Sequence, residues 1–231
     1  EWRPMLAALG DKDDAMNLDA RPGSHPVVRR VVSVAQAEQA FDAITYKKGE
    51  AVIRMLEAYA GPDAWRAGVR AYVAEHAYGN ATSDDLWRAI DRAAGKPVSA
   101  VARDFTTQPG VPLIHVASTL AGANLTETRL ADDERMQSVT VAQTQQDINE
   151  EEARILSWRA PLRLQSPDGG PVRERLISRT SPQADDAVVV ANAGQLGYFR
   201  VAYDHAAFEP LVASFARLTA IDQYGLLKDG L

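Results

Sequence analysis

The hydrophobic pattern changes period once, near residue 110, and no single class of secondary structure can satisfy both sides of that change. Upstream, apolar residues recur at helical spacing. At about 100° per residue, Phe41, Ile44, Val52, Met55, Leu56 and Tyr59 share one arc, the stripe that a helix from Phe41 to Ala60 would bury. GPDAW then puts Pro62 at a first helical position, with Trp65, Val69, Tyr72, Val73 and His76 following in phase. In TSDDLWRAIDRAAGKP, Thr82 or Ser83 can cap a helix, Asp84 and Asp85 sit at the positive end of its dipole, and Gly95 stops it. Val98, Val101 and Phe105 mark a short further helix that QPGVP ends. The opening EWRPMLAAL reads as the end of a helix, and the Pro- and Gly-rich RPGSHP as irregular.

From Leu113 the period is two. Trp158, Ala160, Leu162 and Leu164 alternate with Arg159, Pro161 and Arg163, and Phe199, Val201 and Tyr203 with Arg200 and Ala202. With PLIHVAS, NLTETRL, MQSVTVAQ, VRERLIS and AVVVAN these predict about seven short strands, separated by turns such as PDGG and NAGQ. An immunoglobulin-like antiparallel β-sandwich is expected, with Trp158, Leu162, Leu164, Phe199 and Val201 facing inward. Helical spacing returns at Phe208, Leu211, Val212, Phe215 and Leu218, and another helix begins near Asp222. The fold class is therefore α+β and multidomain: helices over 1–111, a β-sandwich over 112–205, and the first helices of a third domain over 206–231. The chain begins at Glu1 without a Met or a signal-like segment and stops at KDGL soon after a helical pattern starts, so a segment of a longer polypeptide is expected.

Charge narrows the functional classes. With 231 residues, 46% hydrophobic, 24% charged and a net charge of −6, the chain has no basic footprint for nucleic acid. No apolar run approaches the roughly eighteen residues that would span a bilayer, so a soluble protein, cytoplasmic or periplasmic, is expected. Cysteine is absent, which removes disulfides and thiolate metal sites. The four histidines, His25, His76, His115 and His205, show no HExxH spacing, and neither a nucleophile elbow nor a phosphate-binding glycine loop occurs. His76 and His115 read as structural, the Asp204–His205 pair as a strand end, and the acidic runs ADDER (131–135) and INEEEA (148–153) as solvated edges. This chain is expected to hold no metal of its own.

One residue stands out from the helical pattern. Tyr46 falls outside the apolar arc, and Gly49 and Glu50 lie one turn above it, so its neighbour on that face has no side chain. A glycine inside a helix costs about 1 kcal/mol against alanine. A surface tyrosine beside a tolerated glycine is the simpler reading of the pattern; a face kept open for Tyr46 is the other.

The run SHPVV, EQAFDAITYKKGEAVIRML, GPDAWRAGVRAYVAEHAYGNATSDDLWRAI, AAGKPV and TTQPGVPLIHV resembles, block by block over about residues 17–116, the M1 zinc aminopeptidases, nearest their puromycin-sensitive branch. GQLGYFRVAYD (194–204) extends the similarity into the sandwich that follows the catalytic domain in that family, and IDQYGLLKDGL is similar to the start of its C-terminal helical domain. The resemblance implies that the first segment is the helical end of a thermolysin-like catalytic domain. It implies that the intact enzyme removes N-terminal amino acids from peptides using zinc. It also implies that Tyr46, in the family's xxYxKG block, is catalytic, donating a hydrogen bond to the tetrahedral gem-diolate, while Lys47 and Lys48 are solvated or ion-paired helix residues. The family's HExxH motif and the GxMEN motif that holds the substrate amine would precede Glu1. The zinc ligands would then lie outside this chain, its partners would be peptide substrates and the remaining N- and C-terminal domains of the same polypeptide, and the chain alone would be inactive. A catalytically silent M1-like scaffold or protein-interaction module is the alternative.

Overall fold

The computed structural model describes residues 2–120, 137–146, 156–178, 183–185 and 189–229. Helices α1 (Trp2–Asp19) and α2 (Val34–Gln39) precede a π-helical turn, Ile44–Lys48, which runs directly into α3 (Gly49–Ala60). Then come α4 (Pro62–Glu75), α5 (Ser83–Ala94) and α6 (Val98–Thr107). The punctuation read from the sequence is physically present. Pro62 opens α4, and Thr82 and Asp85 form a reciprocal capping box at the start of α5. Gly95 closes α5 in the left-handed conformation, φ 61°.

The expected single helix from Phe41 to Ala60 is broken. The chain leaves α2 at Ala40, passes through bends at Phe41 and Asp42, and enters the π turn. A π turn carries more residues per revolution than an α-helix, so one wheel cannot describe both sides of it. Ile44, Val52, Met55, Leu56 and Tyr59 are buried as the arc required, whereas Phe41 is 72% exposed. Val73 of α4 is also exposed, and His76 is the C-cap of that helix, its ring 5.4 Å from that of Tyr72.

Six strands follow among the described residues: β1 (Val111–Leu120), β2 (Gln137–Gln146), β3 (Ala160–Leu164), β4 (Arg173–Ile177), β5 (Gln183–Asp185) and β6 (Arg200–Tyr203). They form a four-stranded sheet in the order β5-β2-β1-β6 and a separate β3-β4 hairpin. The expected antiparallel arrangement holds for β1–β2, β2–β5 and β3–β4, but β1 and β6 run parallel, from Leu113 opposite Arg200 to Val116 opposite Tyr203. The segment before β6 accounts for this. It first bridges the β3 side, Gln165 with Val190 and Arg163 with Asn192, and then crosses to β1. AVVVAN therefore supplies isolated bridges at its described end instead of a regular strand. NLTETRL, ADDER and INEEEA lie outside the described residues.

Alternation placed the inward residues correctly. Trp158, Leu162, Leu164, Phe199 and Val201 are all buried, and they share one hydrophobic cluster with Met16, Val52, Leu56, Ile90 and Phe105 of the helical part. Helix α7 (His205–Ala213), a 3₁₀ turn (Phe215–Arg217) and α8 (Ala220–Asp229) complete the chain and cover a smaller cluster of Val190, Ala193, Leu211 and Leu226. Asp204 is not a simple strand end: its side chain accepts a 2.7 Å hydrogen bond from Ala207 N–H and caps α7.

Gly68 lies close against α5, since a Cβ there would be 2.7 Å from the Ile90 Cα. Alanine should gain about 1 kcal/mol of helix propensity, but the atom it meets is backbone and cannot step aside. Overpacking of this kind costs about 1–3 kcal/mol, so Gly68→Ala is expected to lower the unfolding free energy, as chemical denaturation would show.

Candidate functional site

Tyr46 lies in the middle of the π turn, 59% exposed. Its ring stacks on Phe41 with centroids 6.2 Å apart and planes at 28°, and its hydroxyl has no hydrogen-bond partner among the described residues. Gly49 next to it has ordinary helical angles, φ −55° and ψ −48°, and an added Cβ would meet nothing within 4 Å. Neither backbone strain nor packing among the described residues calls for glycine there. The face beside Tyr46 is open.

The turn is held from both sides by polar contacts. On the C-terminal side is Lys48, fully buried, its Nζ 2.7 Å from Asp19 Oδ2 and donating to Gln108 O at 3.0 Å. Asp19, equally buried, also accepts from Ser24 Oγ (2.5 Å), Gly110 N–H (2.9 Å) and the Tyr198 hydroxyl (3.1 Å). Burial pushes the Lys48 amine down, with the nearby Asp19 charge opposing it. Burial, and then the Asp19 carboxylate, push the Tyr198 phenol well above its usual value, which keeps it a donor. Lys48 is thus ion-paired and not solvated. Lys47 is the surface member of the pair, 2.8 Å from Asp11 and 2.9 Å from Asp14.

On the N-terminal side, Asp42 accepts from Thr45 N–H through Oδ1 (2.8 Å) and faces His25 Nε2 through Oδ2 (2.8 Å), with Arg29 at 3.5 Å. Burial raises the Asp42 carboxyl, but the Thr45 hydrogen bond and the His25 charge outweigh it and the net shift is downward. The sequence offered no signal for this grouping, because His25 and Asp42 lie far apart along the chain. It also offered none for Lys48 and Asp19.

Among the described residues no three His, Cys, Asp or Glu side chains come together in a way that could hold a metal ion, so these residues do not fit a zinc site. Nor is any described helix long and apolar enough to cross a membrane. A cleft of about 390 Å³ between α1, α3 and residues 194–196 does not include Tyr46. Its cations are already engaged: Lys47 with Asp11 and Asp14, Arg54 with Glu50, and Lys12 with the carbonyls of Gln195 and Gly197.

Residues 2–105, which contain the whole Tyr46 turn and both of its anchors except Gln108, Gly110 and Tyr198, match the peptidase family M1 domain, and the chain belongs to that family. Over 93% of its length it is 31% identical to the tricorn protease-interacting factor F2 of Thermoplasma acidophilum, covering 25% of that protein. It is 29% identical over 99% of its length to Aminopeptidase M1 of Arabidopsis thaliana, covering 26% of that protein, and 27% identical over 93% to Probable aminopeptidase 2 of Sulfurisphaera tokodaii, covering 25%. The chain spans about a quarter of the length of these curated relatives.

Removing one partner of a buried ion pair leaves the other charge stranded, at a cost of about 3–5 kcal/mol. Lys48→Met should therefore destabilise the fold severely, while Lys48→Met combined with Asp19→Leu should recover part of the loss. Denaturation of the two single variants and the double variant measures this directly. Equal, small effects in all three would show the pair to be dispensable.

Proposed function

We propose that the chain is part of a zinc-dependent aminopeptidase that hydrolyses N-terminal amino acids from peptides, and that Tyr46 is its oxyanion donor. The observation carrying this reading is the Tyr46 hydroxyl: exposed, without a hydrogen-bond partner among the described residues, and mounted on a π turn fastened at both ends. π turns inside helices occur frequently at functional sites. A phenol, with an unperturbed pKa of about 10, donates a hydrogen bond at neutral pH without ionising. As the tetrahedral intermediate forms, negative charge gathers on the former carbonyl oxygen, and a donor already aimed at that position stabilises the transition state more than the ground state. The names of the relatives, Aminopeptidase M1 and Probable aminopeptidase 2, point to the same reaction class.

Zinc, which would polarise the carbonyl and activate water, belongs in this reading to residues outside those described. On the same reading, residues 1–111 are the helical end of a thermolysin-like catalytic domain, 112–205 an immunoglobulin-like linking sandwich and 206–231 the start of a C-terminal helical domain. Trp158 and its buried neighbours support the middle assignment, although the parallel β1–β6 pair departs from a purely antiparallel sandwich.

Two measurements test the proposal. The isolated chain should show neither turnover of aminoacyl-anilides nor stoichiometric zinc by metal analysis; tight zinc with turnover would place the whole site inside it. In the complete polypeptide, Tyr46→Phe keeps the ring and its stacking on Phe41 but deletes the hydroxyl. Here kcat and kcat/KM should fall together by roughly 100- to 1000-fold, equivalent to about 3–4 kcal/mol, with KM and melting temperature little changed. A near-normal kcat would reduce Tyr46 to a surface residue beside a glycine.

A further inference from the structure

We infer that Asp42, held in place by His25 and Arg29, is a positioning residue that fixes the π turn and thereby the aim of the Tyr46 hydroxyl. This rests on the proposed role of Tyr46. Asp42 grips the start of the turn twice: its carboxylate accepts from Thr45 N–H at 2.8 Å, and its backbone carbonyl accepts from Tyr46 N–H at 3.1 Å. The formal cap of the turn, Ala43, has no side chain that could do so. The first N–H groups of a helical segment need such acceptors, and a turn that departs from α-helical geometry depends on them more.

What makes Asp42 more than a cap is the rest of its environment. Its second oxygen lies 2.8 Å from His25 Nε2, and Nδ1 of the same ring lies 3.0 Å from the Pro26 carbonyl. The His25 ring and the Arg29 guanidinium clamp one carboxylate. Arg29 donates in addition to the Gln39 carbonyl at the end of α2, tying that helix to the same point.

The irregular stretch bearing His25 is itself fastened, by Val28 N–H to the Thr106 carbonyl of α6 (2.8 Å) and by Ser24 to Asp19. Asp19 is in turn the partner of Lys48. Polar contacts and the Ser24–His25 backbone thus link Lys48 through Asp19 to Asp42, with Tyr46 between the two ends. Both ends of the π turn are referred to one stretch, residues 19–25. A displacement near 1 Å of a catalytic group can cost on the order of 100-fold in rate, so control over this turn is control over the donor.

The test is a double-mutant cycle in the complete polypeptide. Asp42→Ala, and the milder His25→Ala that leaves the Asp42–Thr45 bond in place, should each lower kcat by about tenfold or more with KM nearly constant. Asp42→Asn, which keeps an acceptor for Thr45, should restore part of the loss. Hydrogen exchange should speed up at the Thr45 and Tyr46 amides in Asp42→Ala, a readout independent of activity. In a Tyr46→Phe background neither Asp42→Ala nor His25→Ala should lower kcat further, because the donor they position is already gone. An equal fold-loss in both backgrounds, or a lowered melting temperature with unchanged kcat, would overturn the clamp and leave Asp42 as an ordinary cap. Tyr46→Phe with no effect of its own would instead overturn the role of Tyr46 and this inference with it; a damaging Tyr46→Phe without coupling overturns the clamp alone.

Discussion

The buried ion pair between Lys48 and Asp19 is the interaction on which the rest of the molecule turns. Two charges removed from water are tolerated only where their remaining valences are met. Here they are. The ammonium has the carboxylate, the Gln108 carbonyl and the Tyr198 ring 5.5 Å from its nitrogen, and the carboxylate accepts from Ser24, Gly110 and Tyr198 besides Lys48. Apart from Ser24, just beyond α1, these groups come from four parts of the chain: the end of α1, the π turn, the 108–110 connection and the segment that leads into β6. The demand of one lysine for saturation therefore fixes where four segments meet.

That meeting point lies across the position where the sequence changes its period. The switch from helical spacing to alternation was legible because it follows from burying one face of each element. The packing of the two parts on each other was not. Phe105 of α6 and Tyr198 meet edge to face with centroids 6.5 Å apart, and a single apolar cluster runs from Met16 to Ala207 through both. Contacts between residues so distant in sequence leave no periodic trace. The parallel pairing of β1 and β6 was hidden for the same reason, since strand direction is set by a crossover and not by the residues of either strand.

Local chemistry, by contrast, could be read almost residue by residue. Pro62, the Thr82–Asp85 capping box and Gly95 each act within a few residues of their own position. Alternation correctly turned Trp158, Leu162 and Leu164 inward for the same reason, because a strand presents every second residue to one side. Phe41 shows where local reading fails. Its phase was extrapolated across a π turn, and one change of pitch put a residue assigned to the core at 72% exposure. Lys48 is the converse: a charged residue in a KKGE run, whose neighbour Lys47 does stay at the surface, proves fully buried. Asp19 and the Gln108 carbonyl, both distant in sequence, make that placement affordable.

Two tyrosines show how the same side chain is committed to opposite ends by this framework. Tyr198 has its ring buried in the shared core and its hydroxyl given to Asp19, so that no acceptor arriving from outside can claim the proton. Tyr46 sits two residues from Lys48, the other partner of Asp19, yet it is exposed, with an open glycine beside it and no hydrogen-bond acceptor among the described residues. Satisfying Asp19 uses up one phenol as structure, and the turn anchored by the same carboxylate leaves the other exposed. A donor proposed for an oxyanion must be unoccupied in the resting fold and must not wander when its acceptor forms. On the proposed reading, the first bears on the Tyr46 hydroxyl, which has no hydrogen-bond partner among the described residues, and the second on Thr45 and Lys48 on either side of it, which are held by Asp42 and Asp19.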